Sequence, residues 1–211
     1  MQCRLEVADG LRNVARRKRD RKRLAMAMAT IIIVVLGFAT ARRNVDYQSD
    51  ITMWSDVAAK RPDNARAHNN LGEILAGRNR IEEATVQFDQ AVKLDPNFFD
   101  AQFNLGNALA LRGDLDEARS HLGEALRITP DRANAHFALG TILAAQGQME
   151  ASANEFRIVV VNKPDYAEAH QRLGLALEKT GRVAEAKGQY ERVLELRPDW
   201  PGLRDHVASL Q

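Results

Sequence analysis

A single cysteine, Cys3, stands among the 211 residues, so no intramolecular disulfide can form and no cysteine-rich metal site exists. Aromatic residues make up only 6% of the chain, whereas Ala, Leu, Arg and Glu are abundant, a balance that favours helix. No phosphate-binding glycine loop and no nucleophile elbow is present, so neither a nucleotide-dependent enzyme nor a serine hydrolase is indicated. Charge of one predominant sign is also lacking: 30 Lys and Arg oppose 28 Asp and Glu, for a formal +2. With 45% hydrophobic and 27% charged residues, the composition is that of a folded chain and excludes wholesale disorder. The length suits one domain, or one domain with an attachment.

The near-neutral total hides an asymmetry. Residues 1–23 carry nine basic and three acidic residues, net +6, and form a basic arm. Residues 24–41 carry no charge, and residues 42–211 are net −4. A basic arm of this kind does not make the folded part a nucleic-acid binder, and no nucleic-acid partner is expected. The uncharged run, LAMAMATIIIVVLGFATA, spans roughly 27 Å as a helix, just short of the ~30 Å hydrocarbon core. Its eight Leu, Ile, Val and Phe residues favour insertion by roughly 2–5 kcal/mol. The run Arg16–Arg23 lies directly before it, which predicts a signal-anchor transmembrane helix with the N-terminus cytoplasmic and the remainder outside. Ala39-Thr40-Ala41 also fits a cleavage site, so a cleaved product soluble in the periplasm is the alternative.

Five of the six prolines, Pro62, Pro96, Pro130, Pro164 and Pro198, are spaced 34 residues apart. Leu71-Gly72, Leu105-Gly106, Leu139-Gly140 and Leu173-Gly174 share that period. So do Ala84, Ala118, Ser152 and Ala186, then Phe88, Leu122, Phe156 and Tyr190, then Ala91, Ala125, Val159 and Val193. Asn79, Gly113, Gly147 and Gly181 make a further column of residues that tolerate a left-handed backbone. Each unit therefore reads as helix, tight turn, helix and proline stop. The glycine and the small residue let the paired helices approach closely, and the bulky residue fills the gap between them. One unit cannot bury its apolar face alone, but four stacked units can. The fold expected is all-α.

These columns resemble the tetratricopeptide repeat, with four units over residues 65–198. The resemblance implies a right-handed superhelix, an α-solenoid whose concave face is lined by the first helix of each unit. Residues 44–61 read as the second helix of a half-repeat, with Trp54 in register with Phe88 and Val57 with Ala91. Residues 199–211 read as a capping helix with Pro201 in its first turn. Ser152 for Ala, Leu122 for an aromatic and the β-branched run Val159–Val161 depart from the pattern and make the third unit the softest expected.

Carried over by position, the resemblance places Asn69, Phe103, Phe137 and Gln171, then Asn70, Asn104 and Arg172, then Glu73, Asn107 and Thr141 in a peptide-binding groove. Asparagine both donates to and accepts from an extended backbone. Phe103 and Phe137 either receive apolar side chains or pack between neighbouring first helices. A groove that clamps a C-terminal carboxylate needs Lys where Asn69 stands, so that ligand class is not supported. Asn70 and Asn104 are similar to the asparagine ladder of O-linked N-acetylglucosamine transferase repeats, but the column continues with Ala138. His68, His136 and His170 share one column and so stand in different units, which argues against a metal site. His121 and His206 read as single residues without partners. No catalytic constellation and no cofactor is expected.

A second resemblance concerns context. Ala41–Gly72 is similar to the join between the last membrane helix and the first repeat in polytopic O-mannosyltransferase-like membrane proteins. Their catalytic carboxylates lie in loops between earlier membrane helices, which this chain lacks. The expectation is a non-enzymatic, single-pass membrane protein that binds a protein or peptide outside the cytoplasm, at a bacterial inner membrane or an endoplasmic reticulum membrane with the repeats lumenal. The alternative is the non-catalytic tail or remnant of a polytopic membrane glycosyltransferase. The oligomeric state is left open.

Overall fold

The computed structural model describes residues 50–210 of the chain. The chain divides into two units at Thr52 and Met53, and all the helices from Ala65 onward belong to the second, Met53–Gln211. The basic arm, the apolar run 24–41 and residues 44–49 of the expected half-repeat lie outside the described residues. Among the described residues no helix is long and apolar enough to cross a membrane.

After α1 (residues 50–60) come four helical hairpins and a short last helix. The hairpins are α2 (Ala65–Gly77) with α3 (Ile81–Leu94), α4 (Phe99–Arg112) with α5 (Leu115–Ile128), α6 (Ala133–Ala145) with α7 (Met149–Asn162), and α8 (Ala167–Lys179) with α9 (Val183–Leu196). The last helix, α10, covers Leu203–Ser209. The two helices of each hairpin pack together, each second helix packs on the helix that follows it, and the first helices α2 and α4, and α4 and α6, also meet side by side. Among the described residues the fold is all-α, a solenoid in which each unit touches only its neighbours.

The turns and stops follow from backbone chemistry. Asn79, Gly113, Gly147 and Gly181 all adopt positive φ, at 61°, 89°, 76° and 79°, and so reverse the chain between paired helices. The second helices end two residues before a proline. The residue between, Asp95, Thr129, Lys163 or Arg197, is held extended at φ near −139°, −138°, −136° and −142°. Proline's ring disfavours the α region at the residue before it, so the helix cannot continue. Acidic residues fill the first turns of α3 and α5, where Glu82-Glu83 and Asp116-Glu117 suit the helix dipole.

Close approach within each hairpin sets the core. A Cβ added to Gly72 would lie 2.5 Å from the Phe88 ring, and one on Gly174 would lie 2.6 Å from Tyr190. At Gly106 it would meet Leu122 Cγ at 2.8 Å and the Ala118 carbonyl at 3.2 Å, and at Gly140 the Phe156 ring at 3.0 Å. The bulky residue thus fills the space above the glycine of its own unit. Leu122 in place of an aromatic is fully buried. Ser152 is also fully buried, and its hydroxyl donates to the Gly140 carbonyl at 2.7 Å. That bond offsets the cost of burying a hydroxyl where the other units carry alanine. Despite its β-branched run, α7 is an unbroken 14-residue helix, because Val159 is fully buried and its packing outweighs local propensity.

The histidine column is a set of clips. Nδ1 of His68 meets Gln87 Oε1 at 2.9 Å, His136 meets Glu155 Oε2 at 2.6 Å, and His170 meets Gln189 Oε1 at 2.8 Å. The other ring nitrogen reaches the carbonyl of Pro62, Pro130 or Pro164, at 3.3, 2.7 and 3.0 Å. Each imidazole therefore ties both helices of its unit to the preceding proline turn. The second unit exchanges the two residues: Gln102 donates to the Pro96 carbonyl at 3.0 Å, and its Oε1 meets His121 Nδ1 at 2.8 Å. His121 is not a single residue, and neither is His206, whose Nε2 lies 2.9 Å from Glu178 Oε2. The sequence reading missed both because the partners stand 19 and 28 residues away.

The ends differ in detail from the sequence expectation. Trp54 and Val57 on α1 are half-buried, whereas Ala58 is buried. At the other end Pro201 lies in a turn rather than in a helix. Gly202 takes the left-handed region at φ 69° and α10 begins only at Leu203. Leu203 and Val207 of α10 join Leu173, Leu177, Tyr190 and Val193 in one apolar cluster.

Two outcomes test this packing. Gly106→Ala is expected to lower stability by about 1–3 kcal/mol through overpacking, whereas Gly123→Ala on open α5 surface should raise it by about 0.5–1 kcal/mol. Equal responses to denaturant would contradict the close helix approach. The second outcome concerns His121, whose imidazole burial holds below the ordinary 6.5 against the pull of Asp89, Glu117 and Glu124. The fold then favours neutral His121, the unfolded chain binds more protons as pH falls through 6.5, and stability drops with it. His121→Gln, matching Gln87 and Gln189, is expected to lose less melting temperature between about pH 7.5 and about pH 5 than the parent. Parallel losses by circular dichroism would reject the assignment.

Candidate functional site

Helices α4 and α6 and the turn into α8 place aromatic side chains along one open groove of about 730 Å³. Phe103 and Asn107 come from α4, Asn134, Phe137 and Ala138 from α6, and Pro164 and Tyr166 from the turn into α8. Phe103 stacks on Phe99 one helical turn before it, at 5.9 Å between centroids and 8° between planes. Phe137 meets Phe156 edge-on at 5.5 Å and Tyr166 at 5.3 Å. Both readings of these two phenylalanines therefore hold: each packs on its neighbours, and each remains half-buried with a face in the groove. Burial pushes the Tyr166 phenol up, Glu168 adds to this and Arg172 opposes it, so the groove's aromatic wall carries a neutral hydroxyl. Lys163 and Asp165 stand at the rim, with Asp165 paired to Arg192 at 3.0 Å.

Next to this wall, between α2 and α4, lies a polar network. Asn69 is 2% exposed, and its Nδ2 donates to Glu73 Oε1 at 2.9 Å. Asn104 Nδ2 donates both to Asn69 Oδ1, at 3.0 Å, and to Glu73 Oε1, at 2.9 Å. The two asparagines are thus bonded to each other and to a carboxylate, so these amide protons do not face a ligand. Asn70 is half-buried and makes no side-chain hydrogen bond to the described residues.

The ten residues expected in the groove do not form one site. Phe103, Asn107 and Phe137 line it, and Asn69, Glu73 and Asn104 form the adjoining network. Thr141 spends its hydroxyl on the Phe137 carbonyl at 2.9 Å. Arg172 reaches Glu168 at 3.7 Å. Gln171 lines a separate hollow of about 280 Å³ with Leu175, Trp200 and His206 at the α10 end. There the Glu178 carboxyl is pushed up by burial, but hydrogen bonds from His206 and Tyr190 outweigh that and hold it below its usual range.

Tyr166, Asn134 and Lys163 were missed. Tyr166 could have been found, since Phe98, Tyr166 and Trp200 share a 34-residue column with aromatic side chains. Among the described residues no group of His, Cys, Asp and Glu is placed to hold a metal ion.

Known proteins share this architecture. A family profile described as TPR repeat matches residues 73–111 and 106–147, and another described as tetratricopeptide repeat matches residues 137–201. Among curated proteins, the chain is similar to the protein O-mannosyl-transferase Tmtc2 of Drosophila melanogaster. Identity is 29% over 73 residues, covering 35% of this chain and 8% of that protein. It is also similar to the protein O-mannosyl-transferase F38B6.6 of Caenorhabditis elegans, with 30% identity over 67 residues, covering 32% and 10% respectively. The match spans a tenth of those relatives or less. Among solved structures, MamA superposes with a TM-score of 0.70 at 24% identity, over 74% of this chain and 92% of that one. YrrB, a TPR protein with an unusual peptide-binding site, does so with a TM-score of 0.65 at 24% identity, over 69% and 75%. At these identities the structures speak to the fold alone. Matched by repeat profiles over more than half its length, and built from four hairpins at a 34-residue period, the chain belongs to the tetratricopeptide-repeat family.

Proposed function

We propose that this chain is a membrane-anchored scaffold that holds an extended peptide segment of a partner protein in the groove formed by α4, α6 and the start of α8. The observation that carries this reading is the row of half-buried aromatic faces, Phe103, Phe137 and Tyr166, around an open trough of about 730 Å³. Such a trough receives apolar side chains, and Asn107 and Asn134 beside it offer hydrogen bonds to the peptide backbone. YrrB, with its peptide-binding site on a similar fold, supports the ligand class. The basic arm and the uncharged run 24–41 support a single-pass anchor with the repeats outside the cytoplasm, at a bacterial inner membrane. A second reading, that the chain is the non-catalytic repeat portion of a membrane glycosyltransferase, is favoured by the similarity to two protein O-mannosyl-transferases.

A photo-reactive residue at Asn107 of the full-length protein should cross-link a discrete partner in membranes, and Phe137→Ala should reduce that product about tenfold or more by removing the aromatic wall. Undiminished cross-linking in the variant would rule out this groove. Orientation is tested separately. In a Cys3→Ser background, a cysteine at exposed Ser120 should react with a membrane-impermeant maleimide from outside intact cells or spheroplasts. Labelling only after lysis would reverse the topology.

A further inference from the structure

The polar network beside the groove fixes what it presents to a ligand. Glu73 is an obligate acceptor, so both amides that touch its Oε1 must turn Nδ2 toward it. With Asn104 Nδ2 donating to Glu73 and to Asn69 Oδ1, its own Oδ1 is left without a partner among the described residues. Glu73 is exposed, and its Oε2 has no partner there either. The face between α2 and α4 therefore offers a carboxylate oxygen and an amide oxygen together, while Asn104, one turn before the trough-lining Asn107, has both amide protons committed to protein acceptors. Lys163 lines the trough itself, where a cation would meet like charge.

We infer that the groove selects a segment carrying an arginine or lysine two or three residues from an apolar side chain, with the cation seated on Glu73 and Asn104 and the apolar group between Phe103, Phe137 and Tyr166. This rests on the groove reading above and specifies its ligand. The spacing follows from the fold. Neighbouring first helices stand about 8–10 Å apart, and an extended chain advances about 3.3 Å per residue. Asn104 lies one helical turn before Asn107 on the same face of α4, and Asn107 lines the trough, so the two subsites adjoin. A guanidinium donates from several N–H groups in one plane and suits the paired acceptors, and a charge-assisted bond there is worth about tenfold in affinity.

The test uses the full-length protein in detergent and an array of amidated peptides in a glycine-serine background. Each places arginine, lysine, citrulline or glutamate one to four residues from phenylalanine or alanine. Arginine and lysine peptides with phenylalanine at a separation of two or three should bind about tenfold tighter than their citrulline counterparts. Glu73→Gln keeps an oxygen for the two asparagine donors while turning the outward oxygen into an amide donor. It should bring arginine and citrulline to within about twofold, and circular dichroism should show the same helix content. Phe137→Ala should weaken the phenylalanine peptides whatever their charge. If arginine and citrulline bind alike and Glu73→Gln changes nothing while Phe137→Ala still weakens binding, the cation subsite is wrong and the groove stands. If no phenylalanine peptide outbinds its alanine counterpart and Phe137→Ala has no effect, the groove reading itself falls.

Discussion

Everything in the described solenoid depends on how closely the two helices of a unit approach at Leu-Gly. With hydrogen at that position, an aromatic ring or Leu122 lies where a methyl group would otherwise sit. The bulky side chain is thereby almost fully buried in each unit: Phe88 at 2%, Leu122 at 0%, Phe156 at 1% and Tyr190 at 3%. Such contacts convert a marginal hairpin into a rigid block and hold the first helices side by side at a repeatable spacing. Without that spacing there would be no continuous trough across α4, α6 and the turn into α8.

A second constraint sets the register between units. Proline two residues past each second helix ends that helix and leaves its own carbonyl free. A histidine or glutamine one turn into the next first helix takes up that carbonyl and reaches across to the second helix of its unit. One side chain therefore joins a turn, a first helix and a second helix. The exchange of Gln102 and His121 in the second unit keeps the same bond with the partners reversed. What the position requires is a bridging pair of polar groups, and histidine as such is not required.

The repeating scaffold leaves the concave side chains free to differ from unit to unit, and here they divide into two zones. The first two units join Asn69, Asn104 and Glu73 in one polar network. Aromatic faces come from Phe103 of the second unit, Phe137 of the third and Tyr166 at the turn into the fourth. A polar zone next to an apolar one, on a row of rigid helices, gives a linear ligand both a register and a direction. The end hollow around Trp200 and Gln171 is separate from it and belongs to the capping turn at Gly202.

The units, turns and stops could be read from residues alone, because a 34-residue period imposes the same local physics four times: positive φ at Asn79, Gly113, Gly147 and Gly181, and extended backbone before Pro96, Pro130, Pro164 and Pro198. The glycine beside a bulky residue was legible for the same reason. The site was legible only in part. Position along a repeat says which helix face a side chain occupies, so Phe103, Asn107 and Phe137 could be placed. It does not say which neighbour takes up a hydrogen bond, so Asn69 and Asn104 read as open peptide clamps and His121 and His206 as unpartnered. Those pairings join residues 19 to 35 positions apart, across separate helices, and only the stacked structure brings them within 3 Å. The sequence by itself determined the repeating hairpin, since that follows from local backbone preference and burial. Tertiary structure alone decided which polar groups are spent internally and which remain for a ligand, since hydrogen bonding depends on distances set by the packing of whole units.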